Sequence, residues 1–308
     1  MNAFDLRTTA MFVSEGWSAE ELAAAVKGEV LDQVRRGVYG PQQSRDAVAR
    51  HAVRAAAACV VRHPESVVSH TSAAVLHGLP VRRDSLGEVD LTRWGAEHGK
   101  RCAGVRLHRS PLAESEIVEL GEVRVTSLER TVADLARVEP YAWSVAAADA
   151  ALHRQTVPEV LADHVARGRH VPGNRRLREV LAFADGRTES PLESMSRVSM
   201  ARAGVPMPIP QYQVLDAAGG WIASGDFGWP QFSLLGEADG KGKYVDDPAR
   251  GRTAADVIEL EKNRDHLVEN CDWWAIHWGW ATACDHVALG DRLRRAFRWR
   301  QGLVASPR

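Results

Sequence analysis

Apolar positions in the first forty residues recur at helical spacing and then alternate. Phe4, Met11 and Phe12, with the apolar residues between them, fit one short amphipathic helix broken at Gly16-Trp17. Ser18-Ala19-Glu20-Glu21 is a capping box that starts a second helix, and Gly28 ends it. Val30 to Val34 and Val38-Tyr39-Gly40 read as strands around the tight turn Arg35-Arg36-Gly37, where Gly37 supplies a positive φ. Helix, turn, helix and two-stranded wing predict a winged helix-turn-helix over residues 1–44.

From 45 to 185 the pattern predicts a mixed, mostly helical region. An apolar helix spans Ala47–Val61, and a second lies between the cap Ser69 and Gly78. Glu88–Leu91 and Val105–His108 alternate as strands, and Thr126–Val138 is another capped amphipathic helix. His63, His70, His77 and His108 read as surface or capping histidines, because no metal-ligand spacing joins them. The polar segment Asp185–Pro191, punctuated by Gly and Pro, marks a boundary. Seven of the ten Trp lie beyond it, which predicts a separate core over 186–308.

In that last region Ser190–Ala203 reads as a helix carrying Glu193. Gln211–Leu215, an Ala-Ala-Gly-Gly turn and Trp221–Trp229 predict a hairpin. Trp221, Ala223, Gly225, Phe227 and Trp229 share one face of its second strand, with Ile222, Ser224 and Asp226 on the other. Phe232–Asp239 follows as a third strand, on which Glu237 and Asp239 share a face about 6.5–7 Å apart along the strand. A turn centred between residues 230 and 231 would set Asp226 opposite Leu235, with Glu237 diagonal to it. Three carboxylates then converge. Neighbouring like charges are costly without a counter-charge, and a hard divalent cation, Mg²⁺ or Mn²⁺, removes the cost. Lys241 and Lys243 follow within reach, where an ammonium neutralises a phosphate or helps activate water. A helix capped by Thr253 and Asp256, the apolar strand Trp273–Trp278 and a basic last helix complete a small α/β core.

Charge narrows this picture. Thirty-nine basic and 40 acidic residues leave a formal charge of −1, which excludes a binder held to phosphates by bulk charge. Only five of the basic residues are Lys, and Lys241, Lys243 and Lys262 fall close together. The four Cys form no C-x-x-C pair, so neither a zinc knuckle nor a disulfide framework is encoded, and a reducing cytoplasm is expected. No apolar run approaches the roughly 18–20 residues of a membrane span, and the first residues lack a signal-peptide layout.

Glu193, Asp226, then Gly236-Glu237-Ala238-Asp239-Gly240 with Lys241-Gly242-Lys243-Tyr244, then Glu261-Lys262-Asn263-Arg264-Asp265 before a Trp-rich strand, resemble the very-short-patch-repair-like branch of the PD-(D/E)XK nuclease superfamily. Arg35-Arg36-Gly37-Val38-Tyr39 and the Ser69–Pro80 segment resemble the AbiEi-type antitoxin regulators of actinobacteria. The resemblance implies an α+β multidomain protein whose C-terminal core is restriction-endonuclease-like. It makes Asp226 and Glu237 the principal metal ligands and Glu193 an accessory acid, with Asp239 standing where the superfamily usually has its Lys. Lys262, or the nearer Lys241 or Lys243, would supply the displaced ammonium.

The expected function is that of a metal-dependent DNA endonuclease-like protein, in DNA repair, phage defence or a toxin–antitoxin setting. Its catalytic set is Asp226, Glu237, Asp239, Lys241 and Lys262, and its metal ligands are Glu193, Asp226, Glu237 and Asp239. Phosphate contacts fall to Lys27, Arg35, Arg36, Lys243 and Arg264. The second N-terminal helix, AEELAAAVK, has two acids and an Ala run where base-reading donors belong. That weakness, with the missing Lys, keeps open a non-catalytic transcriptional regulator or antitoxin partnered by a toxin or regulatory protein.

Overall fold

The computed structural model describes residues 4–42, 46–60, 65–94, 99–102, 104–154, 158–168, 170–216, 218–240 and 271–305. The chain is mixed α/β and divides into two compact units, Met1–Phe183 and Ala184–Arg308. Among the described residues no helix is long and apolar enough to cross a membrane.

The first unit opens with β1 (Arg7–Thr8), α1 (Thr9–Ser14), α2 (Ala19–Lys27), β2 (Asp32–Arg35) and β3 (Val38–Gly40). The box at α2 closes reciprocally: the Glu21 amide donates to Ser18 Oγ at 3.1 Å, and the Ser18 amide to Glu21 Oε2 at 2.8 Å. The single helix expected from Phe4 to Phe12 is instead a strand followed by a helix. Thr8 is the cap, its Oγ1 accepting from the Met11 amide at 3.2 Å, so the chain before it stays extended. Arg7 and Thr8 then pair with Tyr39 and Val38, and the expected two-stranded wing becomes a three-stranded antiparallel sheet in the order β1-β3-β2.

There follow α3 (Ala47–Val60), β4 (Val67–Val68), α4 (His70–Leu76), β5 (Val89–Thr92), β6 (Lys100–Cys102), β7 (Val105–His108), β8 (Ile117–Leu120) and β9 (Val123–Thr126). Four helices close the unit: α5 (Leu128–Val138), α6 (Tyr141–His153), α7 (Pro158–Arg167) and α8 (Asn174–Phe183). The six strands β4 to β9 form one sheet in the order β6-β7-β5-β4-β9-β8, with β5–β7 and β4–β9 parallel. One hydrophobic cluster takes in Leu6 and Val38 together with Ala55–Ala58, Val68, Leu91 and Val125. The first forty residues and the six-stranded sheet therefore share a core.

The second unit contains α9 (Pro191–Ala203), β10 (Ile209–Leu215), β11 (Trp221–Trp229), β12 (Leu234–Ala238), β13 (Trp274–Trp278), α10 (Trp280–Ala283) and α11 (His286–Ala305). Ser190 caps α9 by accepting from the Glu193 amide at 3.2 Å, Pro191 occupies the first turn, and Gly204 ends the helix at φ +65°. The sheet runs β10-β11-β12-β13, antiparallel except for the parallel β12–β13 pair. Its core holds Phe227, Trp229, Trp278, Leu289 and Leu293, all buried.

Two expectations about this sheet are corrected. Gly228, not Asp226, lies opposite Leu235, because Pro230–Phe232 forms a 3-10 turn and Ser233 turns left-handed at φ +46°, which makes the connection four residues long. Nor do the alternate residues of β11 share one face. A Cβ at Gly225 would meet Leu235, whereas Phe227 pairs with Gly236 on the opposite side of β12 and stacks on Trp278. The alternation breaks where the neighbouring Gln211 adopts φ +50°, between the pairs Pro210↔Phe227 and Tyr212↔Gly225.

Candidate functional site

The acids of the second unit are placed by α9, β11 and β12. The β11–β12 ladder ends at Phe227↔Gly236, and just beyond it the Ala238 amide donates to Asp226 Oδ2 at 2.7 Å. Glu237 is 3% exposed, and a Cβ on Gly225 would stand 3.1 Å from its Oε1. The glycine leaves the room that this buried carboxylate occupies. Glu193, 4% exposed in the first turn of α9, accepts from the Ser190 hydroxyl at 2.6 Å, the Glu189 amide at 3.1 Å and Gln211 Nε2 at 3.0 Å.

Burial pushes the Glu193 carboxyl above the ordinary glutamate range, and the charge of Asp226 raises it further, against the three hydrogen bonds that lower it. Gln211 was not among the residues singled out from the sequence. Its left-handed backbone, unusual for a non-glycine residue, accompanies an amide that reaches Glu193. A lone Gln at the start of a predicted strand carries no signal of that role.

Asp239 is tied up differently. His277 Nδ1 lies 2.9 Å from Asp239 Oδ2, and the Asp239 amide donates to the Trp278 carbonyl at 2.9 Å. His277 pairs with Glu237 across the parallel β12–β13 ladder. Asp239, the residue that the resemblance sets at a Lys position, is thus joined to His277, a pairing that no spacing in the sequence announces.

Hard carboxylate oxygens are the donors that Mg²⁺ or Mn²⁺ prefers, and a buried carboxyl raised by a second acid is the situation a cation relieves. By donor chemistry alone Glu193, Asp226 and Glu237 are of the kind a divalent ion takes. Among the described residues, however, no group of three or more His, Cys, Asp or Glu side chains is already disposed to hold a metal. Lys241, Lys243, Lys262 and Arg264, with the helix expected from Thr253, lie outside the described residues. Of the expected phosphate contacts in the first unit, Lys27 is exposed in the last turn of α2, Arg35 ends β2, and Arg36 is exposed in the turn that follows.

The raised Glu193 carboxyl gives a pH prediction. A carboxyl whose folded pKa exceeds its unfolded value favours folding when protonated, and that advantage is lost as pH rises through the raised value. Glu193→Gln removes the titration. Denaturant unfolding at a series of pH values should show the variant gaining stability relative to the parent as pH rises from about 4 to about 8. A difference that stays flat with pH would contradict the shift.

The histidines of the first unit also depart from expectation. His77 does cap α4, its Nε2 lying 2.7 Å from the Thr126 carbonyl, and His63 lies outside the described residues. His70 is no surface residue: it is 7% exposed, sits at φ +49°, and stacks on His108 with ring centroids 3.7 Å apart.

No family model matches the chain. Two proteins of Mycobacterium tuberculosis, uncharacterized protein MT2308 and uncharacterized protein Rv2248, are each 30% identical to it over 223 residues, covering 71% of this chain and 77% of theirs.

Proposed function

The chain belongs to the same family as these two mycobacterial proteins, and we propose that it is a Mg²⁺- or Mn²⁺-dependent endonuclease-like hydrolase of DNA phosphodiesters. The observation that carries this reading is the apposition of Asp226 to the Glu237-Ala238 backbone, within electrostatic reach of Glu193. A helix, an antiparallel meander and a parallel fourth strand are the order expected of a restriction-endonuclease-like core, and they supply the acids in the order of the resemblance.

In this proposal Glu193, Asp226 and Glu237 would hold the divalent ion, which would supply positive charge at the scissile phosphate. His277, fixed at Nδ1 by Asp239, stands beside Glu237 and exchanges a proton at Nε2, the task left open by the missing Lys. Two short helices and a three-stranded sheet serve as a winged helix-turn-helix, with Lys27, Arg35 and Arg36 on DNA phosphates.

The Asp239–His277 pair also favours a second reading, a DNA-binding regulator or antitoxin that keeps the nuclease fold as a scaffold. One set of assays separates the two. Purified protein with Mg²⁺ or Mn²⁺ is expected to cleave plasmid, duplex or single-stranded DNA, and Asp226→Ala or Glu237→Ala to slow this roughly a hundredfold or more. Absence of calorimetric metal binding and of cleavage sensitive to these variants sinks the hydrolase. Specific, metal-independent retardation of its own upstream DNA that survives Asp226→Ala would establish the regulator instead.

A further inference from the structure

The first unit contains a cavity of about 480 Å³ whose lining includes His70, Arg101, Arg106, His108, Arg109 and Arg137. Among the described residues Asp134 is the one carboxylate of its lining, and both its oxygens already receive Arg130 Nε at 3.0 Å. Arg101 and Arg106 meet Glu88 at 3.2 and 3.3 Å, and Arg106 also lies 3.5 Å from Asp90, so the donor that the wall leaves unmet among the described residues is on Arg137. The volume falls within the roughly 300–1,000 Å³ typical of small-molecule sites, and a bare inorganic anion would fill little of it.

Arg137 is built into this wall. Its side chain is 10% exposed, and Nη1 and Nη2 donate to Asp134 Oδ1 at 3.4 Å and to the His164 carbonyl at 3.2 Å. Its Nε is buried and has no hydrogen-bond partner among the described residues. Two glycines make room for it: a Cβ at Gly168 would fall 2.8 Å from Nη2, and one at Gly173 would fall 2.9 Å from Arg137 Cβ. A buried donor left unsatisfied costs stability unless something else meets it, and a guanidinium suits a phosphate.

The imidazoles form the other part of the wall. His108 Nε2 lies 2.8 Å from Asp90 Oδ1, while His70 Nδ1 lies 3.0 Å from Ser69 Oγ, itself held by Thr92 Oγ1 at 2.8 Å. His70 keeps a left-handed backbone, a conformation that cost confines to positions the surroundings impose and that clusters at ligand sites. Burial depresses its pKa to about 4, so near neutrality it is an uncharged aromatic surface rather than another cation.

We propose that this cavity binds a phosphate monoester of nucleotide size, with Arg137 and Arg109 on the phosphate and the His70–His108 stack beside the organic part. The proposal does not depend on the nuclease reading. Calorimetry on the full-length chain would use the four ribonucleoside 5′-monophosphates, the matching nucleosides and inorganic phosphate as separate arms. At least one monophosphate should bind, with its nucleoside and inorganic phosphate at least about tenfold weaker.

Arg137→Gln should weaken that binding about tenfold or more. Because Arg137 is buried, Arg109→Gln at an exposed position is the companion variant, expected to weaken binding while leaving the circular dichroism unchanged. Asp226→Ala should bind as the parent does, which separates this cavity from the acids of the second unit. No binding at millimolar ligand overturns the proposal, as does insensitivity to both Arg variants, loss with Asp226→Ala, or inorganic phosphate binding as tightly as every monophosphate.

Discussion

Arg130→Met is expected to cost the first unit about 3–5 kcal/mol, the range for removing one partner of a buried ion pair. Arg130 is 5% exposed and uses its whole fork: Nε reaches both Asp134 oxygens at 3.0 Å, Nη1 reaches Glu116 Oε2 and the Pro111 carbonyl at 2.9 Å, and Nη2 reaches Ser110 Oγ at 2.7 Å. Methionine fills similar volume but leaves Glu116 and Asp134, 8% and 4% exposed, with diminished counter-charge. His164 and Arg137 remain nearby, yet their contacts to these acids are longer, at 3.4 Å each. Arg130→Lys should recover only part of the loss, because an ammonium cannot span donors set in a planar fork. Urea denaturation measures both, and a loss below about 1 kcal/mol would show that the pair contributes no more than a surface one.

Gly236→Ala should destabilise the second unit by about 1–3 kcal/mol or more through overpacking. The added methyl would sit 2.5 Å from Trp278 Cη2 and 3.0 Å from Trp229 Cζ3. Neither ring moves cheaply. Trp278 Nε1 donates to Ser196 Oγ and Trp229 Nε1 to the Pro206 carbonyl, both at 2.8 Å, and the two residues are 3% and 0% exposed. Since Glu237 is the next residue, the same displacement should lower any activity that needs its carboxylate. Gly240→Ala, whose Cβ meets nothing within 4 Å among the described residues, is the control and should stay within about 0.5 kcal/mol. Equal denaturation midpoints for the two variants would contradict the packing argument.

Local chemistry was the most readable part of the fold. The caps at Ser18 and Ser190 start helices because each side chain answers its own backbone within three residues. Alternation likewise placed the strand containing Asp226 over its full observed span. What escaped were left-handed positions held by residues other than glycine. Ser233 lengthens the β11–β12 connection, Gln211 breaks the neighbouring alternation and reaches Glu193, and His70 enters a cavity wall. Each is imposed by tertiary surroundings that a short window of sequence does not contain. The cavity itself draws on α4, β7 and α5, and of these the short window showed only the strand alternation of Val105–His108 and the capped helices around it.

The cluster joining Leu6 and Val38 to Ala55–Ala58 and Val125 has a consequence for how the protein opens. A tethered reading head would melt first, and its amides would exchange with solvent long before those of the six-stranded sheet. Here detachment of the first forty residues strips the apolar covering from α3, so the two parts rise and fall together in one cooperative step. Whatever this segment touches, it meets as a fixed face of a larger body, and a ligand held there would protect amides as distant in the chain as Val125.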